Sequence, residues 1–180
     1  PADRHDYAAL LRGALATHRL ADLAADLRPP LAQYQALRIL LIQYRALAAD
    51  TTLEPPPPSS TAVRPGEAYD GVGQLSRLLV AFGDLLPGSP PFSPDPAQYD
   101  WLLVEGVRRF QVRHGLEEDG ILGTRTLAAL RTPLAWRVRQ IELALERLRW
   151  LPHLGEQRLI ALNIPMFRLW TWDSIPPTGA

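Results

Sequence analysis

The chain has 180 residues, 47% of them hydrophobic, with 19 basic and 19 acidic side chains and a formal net charge of +0 at pH 7. That length suits one ordinary domain or two small ones with a buried core, and the balanced charge disfavours a general polyanion-binding role. Cysteine is absent, so these residues hold no disulfide, thiolate nucleophile or cysteine metal site.

The opening Pro1-Ala2-Asp3 lacks an initiator Met and an apolar signal core, and the chain reads as an excised or processed piece. It also holds no run of about 18 apolar residues that could span a bilayer. From about Tyr7 to Leu27, Ala8, Leu11, Leu15, Leu23 and Leu27 fall near helical spacing, which predicts one long helix or two short ones. Arg28-Pro29-Pro30 stops it, because proline removes a donor and disfavours helix in the residue before it. Leu31, Tyr34, Leu37 or Arg38, Leu41, Tyr44 and Ala48 mark a second helix ending near Asp50, antiparallel to the first. Pro55 to Pro58, followed by Ser59-Ser60-Thr61, reads as a semi-rigid spacer in preference to a docking motif for a proline-reading domain. Val72, Leu75, Leu78, Leu79 and Phe82 predict another amphipathic helix, closed by Gly83-Asp84-Leu85. The segment from Pro87 to Pro96 must be a loop, with Phe92 either tucked into the core or offered as a contact.

Tyr99 to Leu130 carries the most specific pattern. Val104, Val107, Phe110 and His114 share one helical face with Leu103 beside them. Gly115 stands where a left-handed C-terminal cap would place it, Asp119-Gly120 is a turn dipeptide, and Thr124 is a suitable N-cap for a short helix burying Leu127 and Leu130. After Thr132-Pro133, a start signal read as an N-cap with proline in the first turn, Leu134, Val138, Ile141, Leu145 and Leu148 predict a long helix ending at Trp150-Leu151-Pro152. Arg139 with Glu142, and Glu146 with Arg149, pair on its solvated face. From Arg158 to Ile164 the period changes to two, and with Phe167 to Trp172 and a turn in Asn163 to Met166 it predicts a β-hairpin whose natural partners lie outside the chain.

Val107, Phe110-Gln111, His114-Gly115-Leu116, Asp119-Gly120, Ile121, Gly123 and Thr126-Leu127 stand in an order and spacing that resembles the small helical peptidoglycan-binding domain of bacterial wall enzymes. Most of these residue types specify a core or a turn, whatever else they do. The whole succession resembles a large periplasmic L,D-transpeptidase, a murein transpeptidase. In that family the segment matching Arg139-Gln140-Ile141-Glu142, Leu145-Glu146-Arg147 and Arg149-Trp150-Leu151-Pro152 leads into the catalytic domain, whose first strands Asn163-Ile164-Pro165 and Phe167-Arg168-Leu169 resemble.

The resemblance implies a helical scaffold pair over 1–53, a proline-rich linker over 54–65, a peptidoglycan-binding-like domain over 66–131, a linker helix over 132–157 and the start of a truncated catalytic domain over 158–180. The expected fold class is mainly α, a small three-helix domain with flanking helices and a C-terminal β-hairpin. The family's Ser-His-Gly-Cys motif, in which a thiolate attacks a stem peptide, has no counterpart here. His5, His18, His114 and His153 stand in no such motif, so the chain is expected to be non-catalytic.

A wall-binding site must meet glycan hydroxyls and the amides and carboxylates of stem peptides. Arg108, Gln111, Arg113, Asp119 and Arg125 are the candidates in and beside the motif. The bland alternatives are ordinary surface arginines and, for Asp119, turn formation. Trp136, Trp150 and Trp101 are expected to pack between units, Trp101 with the alternative of facing a sugar. No cofactor or metal is expected, since His114 with Glu117 or Asp119 lacks zinc-site spacing. Expected partners are peptidoglycan, by glycan strand or stem peptide, a catalytic domain in cis, and a second copy through the hairpin edge. The helix-turn-helix layout of Phe110 to Leu130 alone would suggest DNA, which the neutral charge disfavours. The resemblance places the protein in the periplasm or cell envelope.

Overall fold

The computed structural model describes residues 6–29, 31–88, 95–150, 158–163 and 168–172. Seven helices run in chain order among them: α1 (Tyr7–Ala16), α2 (Leu20–Asp26), α3 (Ala32–Ala49), α4 (Val72–Phe82), α5 (Trp101–Arg113), α6 (Thr124–Leu130) and α7 (Leu134–Arg149). The chain divides into two compact units. One takes in Pro1–Arg38 and Leu143–Asn163 with Phe167–Ala180, the other Ile39–Glu142 with Ile164–Met166.

In the first unit the two-helix alternative for the opening segment holds. The Asp6 carboxylate accepts from Ala9 N at 2.9 Å to start α1, and His18, at φ 54°, takes the left-handed conformation that separates α1 from α2. α2 ends at Asp26, ahead of Pro29. Tyr34 is buried, and its hydroxyl accepts from Arg149 Nε at 3.0 Å.

The second unit holds the main hydrophobic core. Leu75, Leu78 and Leu79 of α4 pack with Leu103, Val104, Val107 and Phe110 of α5 and with Leu127 and Leu130 of α6, while Val63, Tyr69, Leu85, Tyr99 and Leu122 close it from the loops. α4 and α5 end alike. Gly83 and Gly115 have φ of 77° and 64°, and Leu85 N and Leu116 N reach back to Leu79 O at 3.2 Å and Gln111 O at 2.9 Å. Such left-handed caps satisfy the last carbonyls and bring a leucine onto the core. The Asp100 carboxylate caps α5 by accepting from Leu103 N at 3.0 Å.

Two predicted caps are corrected. The N-cap of α6 is Gly123, with no side-chain hydrogen bond, and Thr124 is the first helical residue. The Thr132 hydroxyl donates back to Ala128 O at 3.2 Å, so the turn into α7 is started by Pro133, whose carbonyl accepts from Trp136 N at 3.0 Å.

The proline run is packed. Pro56 is fully buried, its carbonyl accepts from Arg131 Nη1 at 2.6 Å, and Pro57 O accepts from the Tyr69 hydroxyl at 2.7 Å. Three further expectations fail on exposure. Trp101, Trp136 and Trp150 are 53%, 57% and 79% exposed, so none is a buried packing anchor. Phe92 lies outside the described residues.

The β-hairpin is also corrected. β1 (Leu159–Asn163) and β2 (Arg168–Trp172) run antiparallel, in register from Leu159↔Trp172 to Asn163↔Arg168. Ile160, Leu162 and Leu169 are exposed, and residues 164–166 of the expected turn lie outside the described residues. A pair of strands by itself is marginal in water. Among the described residues the fold class is therefore mainly helical, and a C-terminal β-hairpin is not supported as part of it. The homodimer expected through the hairpin edge is not supported, because a two-stranded pair by itself is marginal in water and offers no settled edge to another chain.

Candidate functional site

α5 carries Arg108, Gln111 and Arg113, the turn after it Asp119, and α6 Arg125. Gln111 is 1% exposed. Its Nε2 lies 2.8 Å from Asp119 Oδ1, 3.1 Å from Thr126 Oγ1 and 3.2 Å from Ile121 O, and its Oε1 accepts from Gly120 N at 2.9 Å. One amide thus ties α5 to the 119–121 turn and to α6. Asp119 Oδ1 also accepts from Ile121 N at 2.8 Å, the local bond by which aspartate shapes a turn.

Gly120 has φ 69°, and a Cβ there would stand 2.7 Å from Val104 Cγ1, so only glycine lets the turn lie this close to α5. The Tyr99 hydroxyl donates to Gly120 O at 2.7 Å. Burial, and then the nearby Asp119 carboxylate, push its pKa far above the usual phenol range and keep it a donor. The polar members of the motif form a connected internal network of the kind that fixes a unique turn.

Arg113 is engaged elsewhere. Its Nε donates to Asp84 Oδ1 at 2.9 Å and its Nη2 to Asp84 Oδ2, a bidentate pair with a carboxylate that is almost wholly buried at the end of α4. Arg109 Nη1 donates to the Asp84 carbonyl at 3.1 Å. Arg108 pairs with Glu105 at 3.1 Å and lies 5.3 Å from the centre of the Trp101 ring. Arg125 is exposed and has no side-chain partner among the described residues. Of the five candidates, Gln111 and Asp119 touch each other inside the protein and Arg113 holds Asp84. Arg108, beside the exposed Trp101, and Arg125 remain on the surface.

A stacked column went unread in the sequence. Tyr44 and Phe82 stack at 5.9 Å, Phe82 and Phe110 at 6.0 Å, and Phe110 and His114 at 3.9 Å. The Arg137 guanidinium lies 5.5 Å and 5.9 Å from the Phe82 and Phe110 rings, and its Nη2 donates to Ala129 O at 2.6 Å. Its Nη1 is 2.8 Å from His114 Nε2, while His114 Nδ1 is 2.8 Å from Phe110 O. Arginine can only donate, so Nε2 is the acceptor and Nδ1 carries the proton. These residues come from four separate stretches, and helical spacing foreshadows only the neighbourhood of Phe110 and His114.

Burial lowers the His114 pKa below its ordinary 6.5, and Arg137 and Arg113 lower it further, against the opposing Phe110 carbonyl and Asp84. A depressed histidine pKa means that the unfolded chain takes up this proton first as pH falls. Its contribution to stability is full above pH 6.5 and declines as pH drops from there to the folded-state pKa. The melting temperature should therefore fall between pH 7.5 and pH 5, and His114→Gln, which keeps an acceptor for Arg137, should flatten that fall (pH range set by the ordinary histidine value, about 6.5). Identical slopes in the two proteins would remove His114 from this account.

A hollow of about 350 Å³ in the same unit is lined by Leu53, Pro55, Leu78, Phe82, Leu130 and Leu134, with Asp50, Arg131 and Thr132 as its polar members. Hydrogen bonds from the Thr52 hydroxyl and backbone lower the Asp50 pKa and keep it ionised. An apolar floor with an acid, a guanidinium and a hydroxyl suits a short aliphatic or amide-bearing group. No group of three or more His, Asp or Glu side chains that could hold a metal occurs among the described residues.

Residues 69–130 match the family model "Putative peptidoglycan binding domain". No curated protein matches the chain. The matched span takes in α4, α5 and α6 and every member of the hydrophobic core except Val63. The matched span is thus a helical body with its own core. Tyr44, at one end of the stacked column, and Arg137, which lies against its rings, stand outside the matched span.

Proposed function

We propose that the chain is the non-catalytic, wall-binding and scaffolding portion of a cell-wall L,D-transpeptidase, acting in the periplasm or cell envelope. The observation that carries this reading is the family match over 69–130, which coincides with the closed core of α4 to α6 and supports a wall-binding role. The finer assignment rests on the resemblance of the segments from Arg139 to Pro152 and from Asn163 to Leu169 to the approach to that enzyme's catalytic domain. Without cysteine, these residues supply no thiolate for the transpeptidase reaction. Among the described residues no helix is long and apolar enough to cross a membrane.

Within the domain, contact with a stem-peptide carboxylate or a glycan falls to the exposed Arg125 and to the half-buried Arg108 beside the exposed Trp101. Purified sacculi should pellet the chain at low ionic strength, and Arg125→Ala combined with Arg108→Ala should weaken that association about tenfold, the equivalent of about 1.4 kcal/mol. Both arginines are at least partly exposed, so the double variant should keep its melting temperature.

A second reading is a scaffold that positions a catalytic domain or a partner without holding wall. It is favoured by the internal engagement of Gln111, Asp119 and Arg113, which leaves most of the motif unavailable to a ligand. A folded chain that stays in the supernatant with sacculi would establish this reading in place of the first.

A further inference from the structure

Ala24, Leu27 and Arg28 at the end of α2, Tyr34 and Arg38 of α3 and Arg149 at the end of α7 line a cavity of about 420 Å³ in the first unit. Three of these six side chains are guanidinium groups and none is acidic. Arg149 has a carboxylate partner, Glu146, at 3.0 Å. Arg38 Nη1 donates to the neutral Gln35 Oε1 at 2.9 Å, and Arg28 has no side-chain partner among the described residues. Set against a chain with no net charge, this is a local excess of about two positive charges, counting one guanidinium as neutralised by its salt bridge.

Tyr34 adds an aimed donor. It is 2% exposed, and its hydroxyl oxygen accepts from Arg149 Nε at 3.0 Å. The Arg149 guanidinium lies 5.8 Å from the Tyr34 ring centre, which holds it against the cavity wall. The phenol has its own proton left to donate, and no acceptor for it occurs among the described residues.

We propose that this cavity binds a phosphate group. A phosphate monoester near neutral pH carries about −1.5 to −2 charges and three acceptor oxygens. That matches the local excess, the fork geometry of arginine and the free phenolic proton better than a singly charged carboxylate does. The site is independent of the wall-binding reading, since it lies in a different unit and uses none of the same residues.

The test uses the full chain. Titration with inorganic phosphate, followed by calorimetry and by the Nε–H resonances of arginine, should show saturable binding that shifts Arg28, Arg38 and Arg149. Acetate at matched ionic strength should not compete. Arg28→Ala should weaken phosphate binding about tenfold, the loss expected for one charged contact, with an unchanged circular dichroism spectrum. Tyr34→Phe should weaken it by a smaller factor.

Vesicles of phosphatidylglycerol against phosphatidylcholine distinguish the source of the phosphate. Binding to the anionic vesicles that Arg28→Ala abolishes places the phosphate on a lipid headgroup, while binding of free phosphate alone places it on a soluble or polymeric ester. Either sustains the site. Phosphate that binds no better than acetate, or equally well to Arg28→Ala, would overturn it.

Discussion

Phe110→Ala is expected to destabilise the helical body of α4 to α6 by about 3–5 kcal/mol, the cost of deleting a large buried ring whose surroundings collapse only in part. Phe110 is 0% exposed and sits third in the column Tyr44, Phe82, Phe110, His114. Its loss removes two stacked contacts and the aromatic face beneath Arg137. Small domains have about 5–15 kcal/mol of stability in all, so the variant should lose a large share of it and melt well below the parent protein.

The same variant makes a second, more selective prediction. His114 owes its lowered pKa first to burial, and the Phe110 ring covers one of its faces at 3.9 Å. Where Phe110→Ala remains folded, the His114 titration followed by NMR should move up toward the ordinary value. Urea denaturation checks the first part. A loss under about 1 kcal/mol, within the range of ordinary surface changes, would mean that the column is not the packing centre inferred here.

Gln111→Leu should cost about 2–4 kcal/mol although leucine has a similar volume and is apolar. The substitution leaves Gly120 N without its acceptor and removes the shared donor of Asp119, Thr126 and Ile121. Each buried group left unpaired costs about 1–3 kcal/mol. The turn at Gly120, held by this amide and by the Tyr99 hydroxyl, should loosen first, which amide hydrogen exchange at residues 119–121 would register. A Gln111→Leu protein with wild-type denaturation and exchange would instead return Gln111 to the list of ligand contacts.

These two residues mark how far the sequence could be read. The heptad-like face of Val104, Val107 and Phe110 was legible because helical periodicity is a local property, and the structure buries all three. The left-handed glycines after α4 and α5 were legible for the same reason, since a glycine after an apolar run reports the backbone conformation of its own position. Gln111 was legible as part of a motif but not in its role. An amide three residues from a histidine and eight from an aspartate can face a ligand or fold inward, and only the placement of the 119–121 turn against α5 decides between them.

The arginines divide in the same way. Composition reports 19 basic and 19 acidic side chains, and from this balance comes the expectation of no general attraction to polyanions. Which arginine meets which acid is a matter of tertiary approach. Arg113 finds Asp84, 29 positions away, whereas Arg28, Arg38 and Arg149 line one cavity with a single carboxylate among their partners. A neutral total charge therefore coexists with a strongly biased local one.

By itself, the sequence determined the helices, their buried faces, the glycine caps and the family resemblance of the central span, because each depends on neighbours within a few positions. It left open whether the motif's polar residues face a ligand or one another. The tertiary structure decided that, along with the packing of Pro56, the exposure of three tryptophans and that of Ile160, Leu162 and Leu169. The reason is physical: backbone preferences act over a few residues, but the partner of a polar side chain is whatever distant group the fold brings within about 3 Å.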